Sequence, residues 1–298
     1  MSLARLRGVP GLVPGGRKGL GGRGLILLAS LYLVLLLGLP LAALLRAGLQ
    51  LPPQRLWQLL SSELAASALQ LSLSAATLAA LINTGFGLLL AWILVRYRFP
   101  GRRLADALID LPFAMPGVVA AIALLRLYGP GGRIGQLWDP EAPFGHWLAG
   151  IGITELNLTG SRFGVVLAMV YATLPFVVRA VQPVLEAIEP EVEESAFTLG
   201  ATPAQTFRKV LLPQLLPALA TGFSLALARG LGEYGLVTIL TGNIPFETLT
   251  STVYVYQRFE EFDFDGATAV SLVLLAGSLA LLVLINGLAL WYRRSRAL

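Results

Sequence analysis

From Leu64 to Val95 the chain carries no Asp, Glu, Lys, Arg or His. A run of that length cannot lie on a water-exposed surface. A helix needs roughly 20 apolar residues to cross the hydrocarbon core of a bilayer, and this run is long enough for a tilted crossing plus an interfacial turn. Leu25 to Leu45 is a second such run. It exceeds the roughly 7–15 residues of a cleavable signal core, so it reads as a retained span although a basic tail precedes it. Four further largely apolar stretches follow, the first three with a few charges inside them: Ala105–Tyr128, Phe163–Val184, Leu215–Leu240 and Ala267–Tyr292. With 56% hydrophobic and only 13% charged residues, the chain lacks the charged surface of a soluble domain.

The charges that remain set the orientation. Arg5, Arg7, Arg17, Lys18 and Arg23 precede the first run; Arg96, Arg98, Arg102 and Arg103 follow the second; Arg293, Arg294 and Arg296 close the last. Basic clusters beside spans mark cytoplasmic ends. The stretch 242–266 holds Glu247, Glu260, Glu261, Asp263 and Asp265 against Arg258 alone, which suits the outer side. Six spans with both termini inside satisfy every cluster. The net charge of +5 is thus a topology signal and points to membrane lipid, not to nucleic acid. The expected organisation is a glycine-rich cytoplasmic tail (1–24), a first span (25–46), a membrane domain (60–292) and a short cytoplasmic tail (293–298).

Two spans carry features beyond hydropathy. Pro112 and Pro116 lie inside the third and should kink it or free backbone carbonyls, which is tolerated where protein or water covers the backbone. In the fifth, Arg229 and Glu233 are four residues apart and near mid-membrane by count. That spacing places them on one helix face, where ionisable groups need a partner or an aqueous cavity. Ala226 with Gly230, and Ala228 with Gly232, have the spacing that lets helices approach closely. The pair therefore reads either as a helix lock or as part of a pathway, Arg229 supplying positive potential.

Between the fourth and fifth spans lies a helical hairpin. Pro190 suits a first turn, and Glu191, Glu193 and Glu194 favour its positive end. Gly200 should stop that helix in the left-handed conformation. Thr202-Pro203-Ala204-Gln205 starts a second helix as a capping box. On the opposite face, 129–161 reads as a loop with Trp138, Trp147 and the single histidine, His146; Asn157-Leu158-Thr159 is a weak glycosylation match.

Several chemistries are excluded. There is no cysteine, hence no disulfide or thiolate site. Of the two lysines, Lys18 is followed by Gly and Lys209 by Val, so neither completes a phosphate-binding loop. No metal cluster or nucleophile–base arrangement stands out, which counts against a membrane-bound enzyme.

The hairpin resembles the EAA loop of type I ABC-importer permeases. Glu194, Ala196, Gly200, Leu212 and Pro213 match its spacing, Val210 is a close substitute and Ser195 departs conservatively. Asp110-Leu111-Pro112-Phe113-Ala114-Met115-Pro116, Leu174-Pro175-Phe176-Val177-Val178-Arg179 and Ala228-Arg229-Gly230-Leu231-Gly232-Glu233-Tyr234-Gly235 extend the likeness. The last, with Gly242-Asn243-Ile244-Pro245, is similar to the T-type permease subunit of sulfate/thiosulfate importers, with molybdate/tungstate permeases as near relatives. The resemblance implies an all-α permease fold with a cytoplasmic coupling helix between spans 4 and 5. It also implies residence in the inner membrane of a bacterium and three kinds of partner. These are a homologous second permease, two cytoplasmic ATPases that hold the ATP and Mg, and an extracytoplasmic sulfate-binding protein. This chain itself would bind no cofactor. An ion-coupled secondary transporter would explain the spans but not the EAA spacing, and no inverted repeat is visible.

Overall fold

The computed structural model describes residues 20–138, 142–150 and 159–295. The residues up to 19 of the expected tail, the residues after 295 and most of the glycosylation match lie outside them. The chain divides into two units, Met1–Gln50 and Leu51–Leu298.

The first unit is one apolar helical stretch, Gly24–Gln50, long enough to cross a membrane. It consists of α1 (Leu20–Leu33), a π turn (Val34–Gly38) and α2 (Leu39–Gln50). The π turn ends just before Pro40, whose ring would meet a carbonyl of a regular α turn, and the Leu39 N–H donates to the Val34 carbonyl instead.

The second unit begins with α3 (Pro53–Leu60), whose Trp57 is exposed, and α4 (Glu63–Arg96). Ser62 caps α4 by accepting from the Ala65 N–H. The third expected span is not one helix. It is α5 (Arg102–Ile109), α6 (Leu111–Ala114) and α7 (Gly117–Tyr128). The break has a steric cause: Met115 is extended (ψ 131°), as the residue before a proline must be, and Pro116 opens α7. Beyond lies α8 (Pro143–Gly150), a short helix whose Phe144 and Trp147 rings stack 5.7 Å apart; it carries His146, expected in a loop.

Three helices build the core: α4, α9 (Arg162–Ala187) and the helical stretch Pro203–Leu231. The last contains α11 (Pro203–Thr206), a π turn (Phe207–Leu211) before Pro213, and α12 (Leu212–Leu231); α10 (Pro190–Thr198) precedes it. Small residues permit the close approach. A Cβ on Gly222 would lie 2.9 Å from the Val177 Cα, and one on Gly87 would lie 2.7 Å from the Val177 Cγ1. Inside this core Asn83 of α4 donates to the Val170 carbonyl (2.9 Å) and to the Thr173 hydroxyl (2.8 Å) of α9. Gly230, with the expected partner Ala226, packs against Ala76 and Thr173; Ala228 is half-buried and Gly232 exposed.

The α4 and α9 helices run parallel. Ser67 and Gln70 share a groove with Arg162 and Phe163 at their starts, while Arg96 reaches the Ile188 carbonyl (3.3 Å) at their ends. Residues 97–161 must therefore carry the chain back along the bundle.

The fifth expected span is also interrupted. α12 ends at Leu231 and α13 (Gly235–Thr241) starts anew; α13 packs on α7 and α9. The expected outer loop 242–266 is partly a packed helix, because Val253 and Tyr254 of α14 (Ser251–Glu260) enter a second apolar cluster with Ala65, Ala68 and Val270. Its exposed parts are 242–247 and the turn around Phe262. α15 (Phe264–Ser295) completes the chain. Among the described residues five helices are long and apolar enough to span a membrane, and the segment 102–128 is the broken exception to the expected six.

Candidate functional site

Two places gather the residues singled out in the sequence. The first is the hairpin at the end of the bundle where α4 and α9 finish. Pro190 occupies the first turn of α10, with Glu191 and Glu193 beside it. Gly200 has φ +82°, its N–H donates to the Phe197 carbonyl (2.9 Å), and the Ala201 N–H donates to the Ala196 carbonyl (3.0 Å). Thr202 and Gln205 form both hydrogen bonds of the capping box. The motif residues divide between two tasks. Ala196 is buried, and Val210, Leu212 and Pro213 are half-buried against the bundle. Glu194, Ser195 and Gly200 are exposed, together with Phe197 and Leu199, the latter 87% exposed.

The hairpin is fastened to α4. Arg96 Nη2 lies 2.6 Å from Glu193 Oε1, with both side chains mostly buried. Trp92 meets Phe207 edge-on, ring centroids 5.5 Å apart. Sequence reasoning gave Arg96 only a topological role and Glu193 only a helix-end role. Their pairing spans almost a hundred residues, and no local pattern carries it.

The second place is the interruption between α12 and α13. Arg229 and Glu233 do pair, Nη1 to Oε2 2.7 Å, but across a helix end and not along a continuous span. The carboxylate is buried while the guanidinium side chain is 44% exposed. Glu233 Oε1 also accepts the Leu236 N–H (3.1 Å), so the carboxylate caps the first turn of α13. The Glu233 carbonyl, freed by the break, accepts the Thr252 hydroxyl of α14 (2.7 Å). A Cβ on Gly117 would lie 3.6 Å from the Leu236 nitrogen and 3.9 Å from Glu233 Oε1. The break in the third segment thus abuts the break in the fifth. Irregular backbone inside a membrane bundle persists only where protein or a water-lined cavity satisfies it, and here side chains do so.

A third cluster links two stretches that the sequence showed only separately. Arg179 of α9 forks onto α5: Nη1 to Asp106 Oδ1 is 2.7 Å and Nε to Asp110 Oδ1 is 2.8 Å, and Nη2 also donates to the Asp106 carbonyl (3.0 Å). Gln182 accepts a further hydrogen bond from Nη1 (2.7 Å). The fork holds the broken segment to the core. Arg179→Gln, and separately the double change Asp106→Asn with Asp110→Asn, should lower the thermal stability of the purified protein. Combining them should add nothing, because they remove one interaction. All three side chains keep a third or more of their surface, so an effect on the order of 1 kcal/mol or less is expected. Additive losses in unfolding midpoints would refute the shared contact.

Residues 83–296 match the family model described as "Binding-protein-dependent transport system inner membrane component". The fold and site define a transporter permease, and the chain belongs to this family of inner-membrane components. Its curated relatives are more particular. It is 46% identical over 259 residues (87% of each chain) to the "Probable sulfate transport system permease protein cysT" of Nephroselmis olivacea. It is 44% identical over 258 residues (87% of this chain, 88% of the relative) to the "Sulfate transport system permease protein CysT" of Escherichia coli strain K12. Among solved structures, a chain of a bacterial alginate ABC transporter superposes with a TM-score of 0.70 at 20% identity, covering 90% of this chain and 93% of that one. That likeness speaks to the fold alone.

Proposed function

We propose that this chain is the permease subunit of an ATP-driven importer of sulfate and thiosulfate. The observation that carries the reading is the long, nearly full-length identity to sulfate permeases. The geometry supports it: the exposed hairpin is fastened to the core, and the core leads to two abutting helix breaks. In this reading α10 and Gly200 seat in a groove on a cytoplasmic ATPase through Glu194, Ser195, Phe197 and Leu199. Two such ATPases hold the ATP and Mg, a homologous permease completes the membrane unit, and an extracytoplasmic binding protein delivers the anion. Arg96 and Trp92 transmit the hairpin's displacement to α4, and the core to the breaks. The segment 102–128 makes the third of six crossings, with both termini cytoplasmic in a bacterial inner membrane and residues 60–292 forming the permease domain. Alternating access requires a two-state element that a partner can bias. The hairpin and the breaks are its two ends.

Purification tests the reading. Solubilised in mild detergent, the tagged chain should bring a separate ATPase with it, and Phe197→Asp with Leu199→Asp should release that subunit while the permease stays folded. Recovery of the chain without any ATPase would overturn the reading.

A further inference from the structure

We propose that Arg229, Tyr234 and Tyr256 form the anion-facing wall of the outer half of the route. The inference rests on the importer reading and adds residues that the sequence did not single out. Tyr234 follows Glu233 in the break, and Tyr256 lies one turn beyond Thr252 on α14, hence on the same face. The Thr252 hydroxyl fastens that face to the Glu233 carbonyl, and the Tyr234 and Tyr256 rings meet with centroids 5.0 Å apart. All three proposed residues are exposed in the subunit, as is Gly232 between them, while Glu233 behind them is buried. The break sits level with Ala76 and Thr173, well within the bundle. A guanidinium and two phenols at that depth do not face hydrocarbon; they face protein or water.

The chemistry of the wall suits a divalent oxyanion. Such an anion accepts hydrogen bonds and donates none, and this surface offers donors: the charged fork of Arg229 and the hydroxyl of Tyr234. The carboxylate of Glu233 faces inward to the Leu236 N–H, so Arg229 retains attraction at the surface without presenting an unbalanced charge. The Tyr256 hydroxyl is engaged by the Glu260 carboxylate, so Tyr256 contributes its ring to the wall. A neutral donor and a half-compensated arginine bind weakly enough to let the anion pass.

The absence of native cysteine makes the test direct. Tyr234→Cys, Tyr256→Cys and, at an exposed leucine of α4, Leu81→Cys are assembled singly with the ATPase and binding protein in lipid vesicles. They are held outward-facing with a non-hydrolysable ATP analogue. An anionic sulfonate thiol reagent and its cationic ammonium counterpart are then added outside. The wall predicts reaction at both tyrosine positions, faster with the anionic reagent by roughly tenfold or more. It predicts loss of that preference when Arg229→Gln is added, and no reaction at Leu81→Cys. Unreactive cysteines, or equal rates for both reagents, overturn it. Tyr234→Phe keeps the ring contact and should slow sulfate uptake several-fold; unchanged uptake also overturns the proposal. Stimulation of hydrolysis by loaded binding protein, measured with the parent chain, separates the two failures. Its absence counts against the importer reading, and its presence with a negative labelling result counts only against the wall.

Discussion

Arg229→Gln should abolish sulfate uptake, whereas Arg229→Lys should preserve much of it, with the complex assembled in both. The expectation follows from where the two halves of the pair sit. Glu233 is buried and committed: one oxygen caps α13 and the other meets Arg229. Removing the guanidinium leaves a buried carboxylate that repels an approaching dianion and has lost its charged neighbour. The first effect is an electrostatic repulsion that the guanidinium no longer offsets; the second is a desolvation penalty that the Leu236 N–H offsets only in part. Lysine keeps the charge and loses the planar fork, so it restores potential along the route but not the bond's geometry. A helix lock alone predicts a different pattern, in which both variants suffer equally and the subunits fall apart. Uptake measured beside recovery of the intact complex distinguishes them.

Gly200→Val should leave the spans inserted and the permease folded, yet strongly weaken the stimulation of ATPase activity by loaded binding protein. Nothing lies within 4 Å of where a Cβ would stand, so the substitution meets no neighbour. Its effect comes from the backbone alone. At φ +82° an L residue is strained by roughly 1–2 kcal/mol, and a β-branched one is strained most. The turn relieves that strain by opening, which uncouples the exposed end of α10 from the Thr202 capping box. Gly200→Ala should show a milder form of the same defect and Gly200→Asn the mildest, since Asn tolerates the left-handed conformation. Normal stimulation in Gly200→Val would mean that the turn's geometry is not part of coupling.

These expectations draw on features that differ in how far the sequence exposes them. The hairpin was legible almost to the residue, because each of its signals is local: Pro190 in a first turn, the left-handed glycine, the capping box four residues long. The apolar runs were legible for the same reason, since hydropathy needs no partner. The breaks were half visible. Pro116 announced an interruption and its extended predecessor delivered it, but Gly232 alone gave no reason to divide the run Leu215–Leu240. What divides it is tertiary: the Leu236 N–H and the Glu233 carbonyl find side-chain partners, one of them on α14. The Arg96–Glu193 and Arg179–Asp106–Asp110 contacts were invisible for that reason, although Arg96, Glu193, Asp110 and Arg179 had each been noticed singly. Likewise the stretch 242–266 read as an acidic outer loop, because its five acids outweigh the buried Val253 and Tyr254 that dock α14.

The central claim is that this chain passes sulfate inward on energy supplied by a separate ATPase. Uptake of radiolabelled sulfate by cells lacking the chain, with and without its gene restored, tests it most directly, with excess thiosulfate or molybdate as competitor. The account predicts uptake that returns with the chain, is suppressed by thiosulfate and is little affected by molybdate. Uptake that is unchanged by restoring the chain, or that molybdate suppresses and thiosulfate does not, would contradict it.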